Sequence, residues 1–281
     1  MDWFSWRTSQ VKATGRCPGK NHIMLRKRAD IVLVDRGFFP SRAKAREAIE
    51  AGLVVANGAV LKKPAEMVEE DAEIEADRPY PWVSRGGVKL AVALETFRID
   101  PSGLTCADIG VSTGGFSDVL LSRGAAWVYG VDVGTGQLDP KLATRKELIA
   151  MEQFDARALS AANFSEPPQL CVIDVSFISL KLILPVVLPL LADNAALIAL
   201  IKPQFEAGRE RVGKGVVRNA AVHEDVCADI SSFIEAAGWR ARGLIPSPIE
   251  GGDGNREFLI AAVRGAPSFV QENPSFVQVN P

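Results

Sequence analysis

The segment Asp108-Ile109-Gly110-Val111-Ser112-Thr113-Gly114-Gly115-Phe116 puts three glycines where an apolar run gives way to a helical pattern. Glycine has no Cβ, so such a turn lets backbone amides come close to a ligand at the start of the following helix. Strand, glycine turn and helix in that order form the unit of parallel α/β sheets that bind cofactors at their carboxyl edge. The chain past Gly103 agrees. Short apolar runs at Thr105–Ile109, Trp127–Val131, Leu170–Ile173 and 196–201 alternate with helical stretches, which predicts a doubly wound α/β, Rossmann-like sheet. A helix over 222–237 is followed by runs at 240–245 and 258–263 with no helix between, which predicts an antiparallel last strand pair.

The front of the chain reads differently. From Ala29 a helical pattern runs to Gly37, then Ser41 caps a helix over 42–51 that Gly52 stops. Runs at 53–56 and 59–61 flank Asn57-Gly58, the dipeptide best suited to a type I′ hairpin turn. The alternation Glu73-Ile74-Glu75 predicts a last strand, and Pro79-Tyr80-Pro81-Trp82 ends the regular structure. The expected organisation is a disordered leader (1–27), a small α+β domain (28–78), a linker (79–87), the α/β domain (88–265) and a loose tail (266–281). The tail carries Pro-Ser-Phe-Val-Gln twice, from Pro267 and from Pro274.

Charge follows this division. Thirteen Lys/Arg against five Asp/Glu over residues 1–64 give +8, so a chain of net charge −2 carries −10 on the remainder. The small domain is therefore the end that faces a polyanion. Four scattered cysteines and two histidines argue against a disulfide framework or a zinc site. The longest apolar stretch, 182–201, is broken by Pro185, Pro189, Asp193 and Asn194, and reads as helix, turn and strand rather than a membrane span. No secretory signal pattern opens the chain, and the expected compartment is the cytoplasm.

A dinucleotide fingerprint needs glycine where Ser112 stands, which disfavours a nicotinamide dehydrogenase. A cofactor without a pyrophosphate fits the loop better. In S-adenosylmethionine, the carboxylate suits the loop amides of Gly110, Ser112, Thr113, Gly114, Gly115 and Phe116, and the ammonium suits either Asp108 or nearby carbonyls. Asp132 at the end of the second strand suits the ribose hydroxyls, and Asp155 at the next strand end suits the adenine amino group. The plainer alternative is that these glycines only turn the chain and these aspartates cap helices. A second group, Asp174, Lys202 and Glu257, falls at other strand ends. Lys202 follows a buried run, where loss of water opposes its ammonium form while neighbouring carboxylates favour it. A structural ion pair with Asp174 is the plainer reading there.

Taken together, several motifs resemble the TlyA group of ribosomal RNA methyltransferases, within the FtsJ-like 2'-O-methyltransferases, over most of the chain. They are Arg28-Ala29-Asp30, Ser41-Arg42, Val55-Ala56-Asn57-Gly58, Val83-Ser84-Arg85-Gly86-Gly87-Val88-Lys89-Leu90, Ser112-Thr113-Gly114-Gly115-Phe116, Asp174-Val175-Ser176-Phe177-Ile178-Ser179, Ile201-Lys202-Pro203-Gln204-Phe205-Glu206 and Gly254-Asn255-Arg256-Glu257-Phe258. Val111 departs from the small residue expected in the loop. The resemblance implies a class I methyltransferase sheet behind an S-four-type RNA-binding module, with Lys89, Asp174, Lys202 and Glu257 as a catalytic tetrad. It also implies S-adenosylmethionine as cofactor, no metal, and a cytidine ribose in ribosomal RNA or a ribosomal subunit as target. Arg28, Arg42, Lys44, Arg46 and Arg85 would meet the RNA. A catalytically silent ribosome-assembly factor is the competing expectation; a haemolysin, a name historically attached to relatives, finds no membrane element to support it.

Overall fold

All residues of the strands β1 (Thr105–Ile109), β4 (Leu170–Ile173) and β5 (Ala195–Ile201) are buried. Their apolar runs do not alternate because helices cover both faces of the sheet they share. In a computed structural model, which describes residues 11–12, 25–213 and 215–272, these strands belong to the second of two units, Met1–Pro81 and Trp82–Pro281.

The second unit opens with α1 (Gly86–Phe97); α2 (Gly115–Ser122) follows β1, and then come β2 (Trp127–Val131) and β3 (Leu148–Met151). After β4 come α3 (Leu180–Val187), β5, α4 (Ala220–Ala236), β6 (Arg240–Pro246) and β7 (Phe258–Arg264). The seven strands lie in the order β6-β7-β5-β4-β1-β2-β3. β1 to β5 pair parallel wherever they adjoin, and β7 runs antiparallel between β5 and β6. This is the α/β sheet with an antiparallel last pair that the patterning predicts. Its order reverses between β4 and β1, which leaves a crevice at their carboxyl ends. One apolar layer packs Leu90, Leu94 and Leu120 against one face, and the other packs Ile183, Leu184, Ile230 and Ile234 against the opposite face.

Register fixes who meets whom at that edge. Ile201 of β5 pairs with Phe258 of β7, so Lys202 and Glu257 follow and precede a shared rung. Ile173 pairs with Ile109, which sets Asp174 beside Gly110.

In the first unit, helices Ala29–Asp35 and Arg42–Glu50 pack on short strands around Val32, Leu33, Ile49 and Ile74. Ser41 Oγ accepts the Lys44 amide at 3.4 Å. Asn57 and Gly58 take φ of 49° and 78° between Val54–Ala56 and Ala59–Val60, the hairpin expected.

Four expectations need correction. Val11–Lys12 pairs with Ile74–Ala76 and Arg26–Arg28 with Met67–Glu69, so the leader is not wholly disordered; the rest of it up to residue 24 lies outside the described residues. The linker ends early, because Trp82 and Val83 pack on the second unit's core and α1 begins at Gly86. The tail is held through Glu272: Phe269 and Val270 pack on the same core, Val270 bridges Ile99, and Arg242 binds Glu272 at 3.0 Å. The second Pro-Ser-Phe-Val-Gln lies outside the described residues. Finally, the strand expected to end at Asp155 is β3, which stops earlier, at Met151; two of its four residues are exposed at the sheet edge, so its short pattern does not mark its end.

Candidate active site

At the crevice, a cavity of about 300 Å³ is walled by the glycine loop, the first turn of α1, and the loops after β4 and β5. The glycines are required by close approach. A Cβ on Gly110 would lie 2.3 Å from the Asp174 carbonyl oxygen, and one on Gly115 would lie 2.1 Å from Ser84 Oγ. Ser112 takes φ +47°, the left-handed region, although it is not glycine. Its amide donates to Asp132 Oδ2 at 2.7 Å, and Gly134 donates to Asp132 Oδ1 at 2.7 Å. The Asp132 carboxylate is thus fixed behind the loop.

Two ion pairs stand at this cavity. Lys202 Nζ lies 2.6 Å from Asp174 Oδ1 and donates to Ser176 Oγ at 2.9 Å. Lys89 Nζ, from α1, lies 2.5 Å from Glu257 Oε2, with both side chains buried. Lys89, Asp174 and Lys202 line the cavity, while Glu257 lies behind Lys89. The four residues expected together therefore arrive as two pairs rather than one undivided cluster.

Three expected cofactor carboxylates, Asp108, Asp132 and Asp155, are absent from the cavity wall. Asp108 is wholly buried and absent from the cavity wall; Ser117 Oγ donates to its Oδ2 at 2.6 Å, and Oδ1 has no hydrogen-bond partner among the described residues. Burial pushes its carboxyl up to about 7, against the Ser117 hydrogen bond. Asp155 is half-buried, caps the turn Ala156–Ala158, and binds the Arg157 guanidinium through both oxygens. Those bonds hold its carboxyl down at about 2. Gly110, Ser112, Thr113, Gly115 and Phe116 do line the cavity; Gly114, at φ +90°, instead opens α2.

The candidate RNA residues divide in a similar way. Asp30 is buried and accepts both Arg28 (2.9 and 3.0 Å) and Arg42 (3.1 and 2.8 Å). The Arg28 hydrogen bonds, then those of Arg42, bring its carboxyl down to about 2 despite burial. Arg28 and Arg42 form a fixed pair with one charge in surplus, rather than two freely solvated cations. Lys44 Nζ binds Tyr80 Oη at 2.5 Å and Glu47 at 3.5 Å, so it is less available than expected. Arg46 is exposed on the same helix. Arg85, in the second unit, lines the cavity.

Sequence reasoning gave no role to two residues in the loop after β4. Ser176 holds Lys202, and Phe177 is 90% exposed at φ +64°, with its ring 5.1 Å from that of Phe205. The motif containing both was visible, but exposure of a large aromatic beside a cavity is a property of the fold. Ser179 Oγ and the Leu180 amide donate to Glu206 at 2.5 and 2.8 Å, which ties this loop to the turn Pro203–Glu206 after Lys202. Burial raises the Glu206 carboxyl against those bonds. Among the described residues, no group of three or more His, Cys, Asp or Glu could hold a metal ion, and no helix is long and apolar enough to cross a membrane.

A seven-stranded sheet with an antiparallel insertion, a glycine loop after β1 and lysine–carboxylate pairs at its carboxyl edge define a Rossmann-like methyltransferase. The chain belongs to the FtsJ-like methyltransferases, whose family profile matches residues 82–264, and an S4 domain profile matches residues 27–74. The Bacillus subtilis protein YqxC is 47% identical over 238 residues, covering 84% of this chain and 85% of that one. TlyA of Mycobacterium tuberculosis, named a 16S/23S rRNA (cytidine-2'-O)-methyltransferase, is 39% identical over 238 residues, covering 84% and 89%. A solved structure from Streptococcus thermophilus, named as a haemolysin, superimposes with a TM-score of 0.68 at 42% identity, covering 87% and 90%.

Proposed function

We propose that the chain transfers a methyl group from S-adenosylmethionine to a cytidine ribose 2'-oxygen in ribosomal RNA, working on rRNA or ribosomal subunits in the cytoplasm. The observation that carries this reading is the Lys202–Asp174 pair on the wall of a cavity shared with the glycine loop. The residues present suit the cofactor: the loop amides for its carboxylate and Phe116 for apolar contact, on the cavity wall, and Asp132, behind the loop and held by two amides with acceptor capacity to spare, for the ribose hydroxyls. When bound there, S-adenosylmethionine supplies an electrophilic methyl on its sulfonium.

Lys202 takes the proton of the 2'-hydroxyl, with Asp174 holding its amine in place. Lys89, set by Glu257, orients the ribose, and Arg85 meets a flanking phosphate. Holding nucleophile and methyl in line is the largest contribution expected of the site. The Arg28–Asp30–Arg42 group and Arg46 bind phosphates, which give affinity and placement without reading sequence.

The direct test supplies methyl-labelled S-adenosylmethionine with naked rRNA and with each ribosomal subunit, and maps the label by resistance to alkaline cleavage. Label in a ribose 2'-O-methyl supports the reading. Tight RNA binding without transfer to any of these substrates would make the chain a silent assembly factor instead.

Phe177 gives a second expectation. A base stacked on an aromatic ring contributes about 1–3 kcal/mol, so Phe177→Ala is expected to weaken substrate-RNA binding about tenfold while leaving S-adenosylmethionine affinity unchanged. Phe177→Tyr should restore binding in the same fluorescence titration.

A further inference from the structure

Ser176 is exposed, lies on the cavity wall, and accepts a hydrogen bond from Lys202 Nζ at 2.9 Å. Asp174 Oδ1 lies 2.6 Å from Nζ as an ion-pair partner outside hydrogen-bond geometry, so Ser176 Oγ is the acceptor that gives the amine a direction. Once the ion-paired ammonium has released a proton to solvent, the neutral amine carries two N–H bonds and one lone pair in tetrahedral directions. With one hydrogen held by Ser176 and the other drawn toward the Asp174 carboxylate, the lone pair is what Nζ has left to offer a hydroxyl in the cavity. We propose that Ser176 is a positioning residue for methyl transfer, which orients the Lys202 amine so that its lone pair meets the substrate 2'-hydroxyl. The proposal rests on the reading of Lys202 as the proton acceptor.

Asp174 alone would not achieve this. Its charge attracts the amine but, with no hydrogen bond to give it direction, leaves it free to turn about Cε–Nζ, so an N–H and the lone pair exchange places. Nor is Ser176 a loosely held surface serine. It sits between Asp174, at the end of β4, and Phe177, whose left-handed backbone turns the chain at once. Three residues on, Ser179 Oγ and the Leu180 amide are bound to Glu206 at 2.5 and 2.8 Å, on the turn that follows Lys202. The acceptor and the lysine it serves are therefore fixed to one another by both of their loops.

A hydrogen bond of this kind contributes about 1.4 kcal/mol, which is a factor of about ten in rate. Ser176→Ala is expected to lower kcat about tenfold and to leave KM for S-adenosylmethionine and for rRNA within about twofold. Ser176→Thr keeps the hydroxyl at an exposed position and should recover most of that loss. Because Ser176 acts through Lys202, the alanine change should have no further effect on single-turnover transfer in a Lys202→Ala background. An unchanged kcat in Ser176→Ala, with Lys202→Ala inactive, overturns the role of Ser176 alone. Equal loss in the alanine and threonine variants does the same. Wild-type transfer by Lys202→Ala overturns the underlying reading together with it.

Discussion

Lys202→Ala is expected to slow methyl transfer to rRNA about a thousandfold, within the range general for loss of a positioned acid or base, while S-adenosylmethionine affinity stays within about twofold. The two effects separate because they reside on different strands. Lys202 follows β5, whereas the glycine loop and Asp132 belong to β1 and β2. The variant should fold. Its Asp174 carboxylate keeps about a fifth of its surface in contact with solvent, so loss of the ammonium does not strand a charge in the core. Lys202→Arg sharpens the test, since arginine keeps the positive charge but does not give up its proton at working pH. If Lys202 acts as a proton acceptor, both variants are inactive. If it acts only as a fixed cation, Lys202→Arg retains much of the rate. Single-turnover transfer with labelled cofactor, alongside calorimetric titration of S-adenosylmethionine, distinguishes these outcomes, and wild-type transfer by the alanine variant removes Lys202 from the chemistry.

The sheet was legible where burial leaves no ambiguity. β1, β2 and β4 match their apolar runs, and the antiparallel pairing of β6 with β7 follows from the lack of a helix between them. The bounds of the edge strand β3 were not legible, because an edge needs no continuous apolar run. Nor was the site legible as a geometry. Lys89 and Glu257 stand 168 positions apart, and only the insertion of β7 beside β5 brings them together. Local chemistry also redirected residues read from position alone. Arg157, two residues after Asp155, takes its carboxylate, and Asp30 draws Arg28 and Arg42 into one group. A charge count sees a basic domain and cannot see which cations are already engaged. The family motifs supplied what spacing could not: the expectation that a lysine in α1 belongs with three residues at distant strand ends, of which it meets Glu257.

Glu257→Ala is expected to destabilise the second unit strongly, and to abolish methylation as well. Lys89 and Glu257 keep only 8% and 3% of their side-chain surface exposed, and they meet at 2.5 Å. Removing the carboxylate leaves an ammonium in the protein interior with no counter-charge, which costs about 3–5 kcal/mol. For a unit of this size that corresponds to a melting temperature lower by about 10 °C. Loss of activity in such a variant would say little on its own, since a damaged fold loses activity too. The informative variant changes both partners. Lys89→Met with Glu257→Leu fills similar volume with apolar atoms, and replacing a buried pair in this way is often neutral or stabilising. The double variant is therefore expected to melt near the wild-type temperature and to bind S-adenosylmethionine, yet to transfer no methyl group. That combination assigns the pair to the reaction, because the fold does better or equally well without it. Recovery of both melting temperature and methylation in the double variant would instead reduce Lys89 and Glu257 to a structural contact and leave Lys202 and Asp174 as the reacting pair.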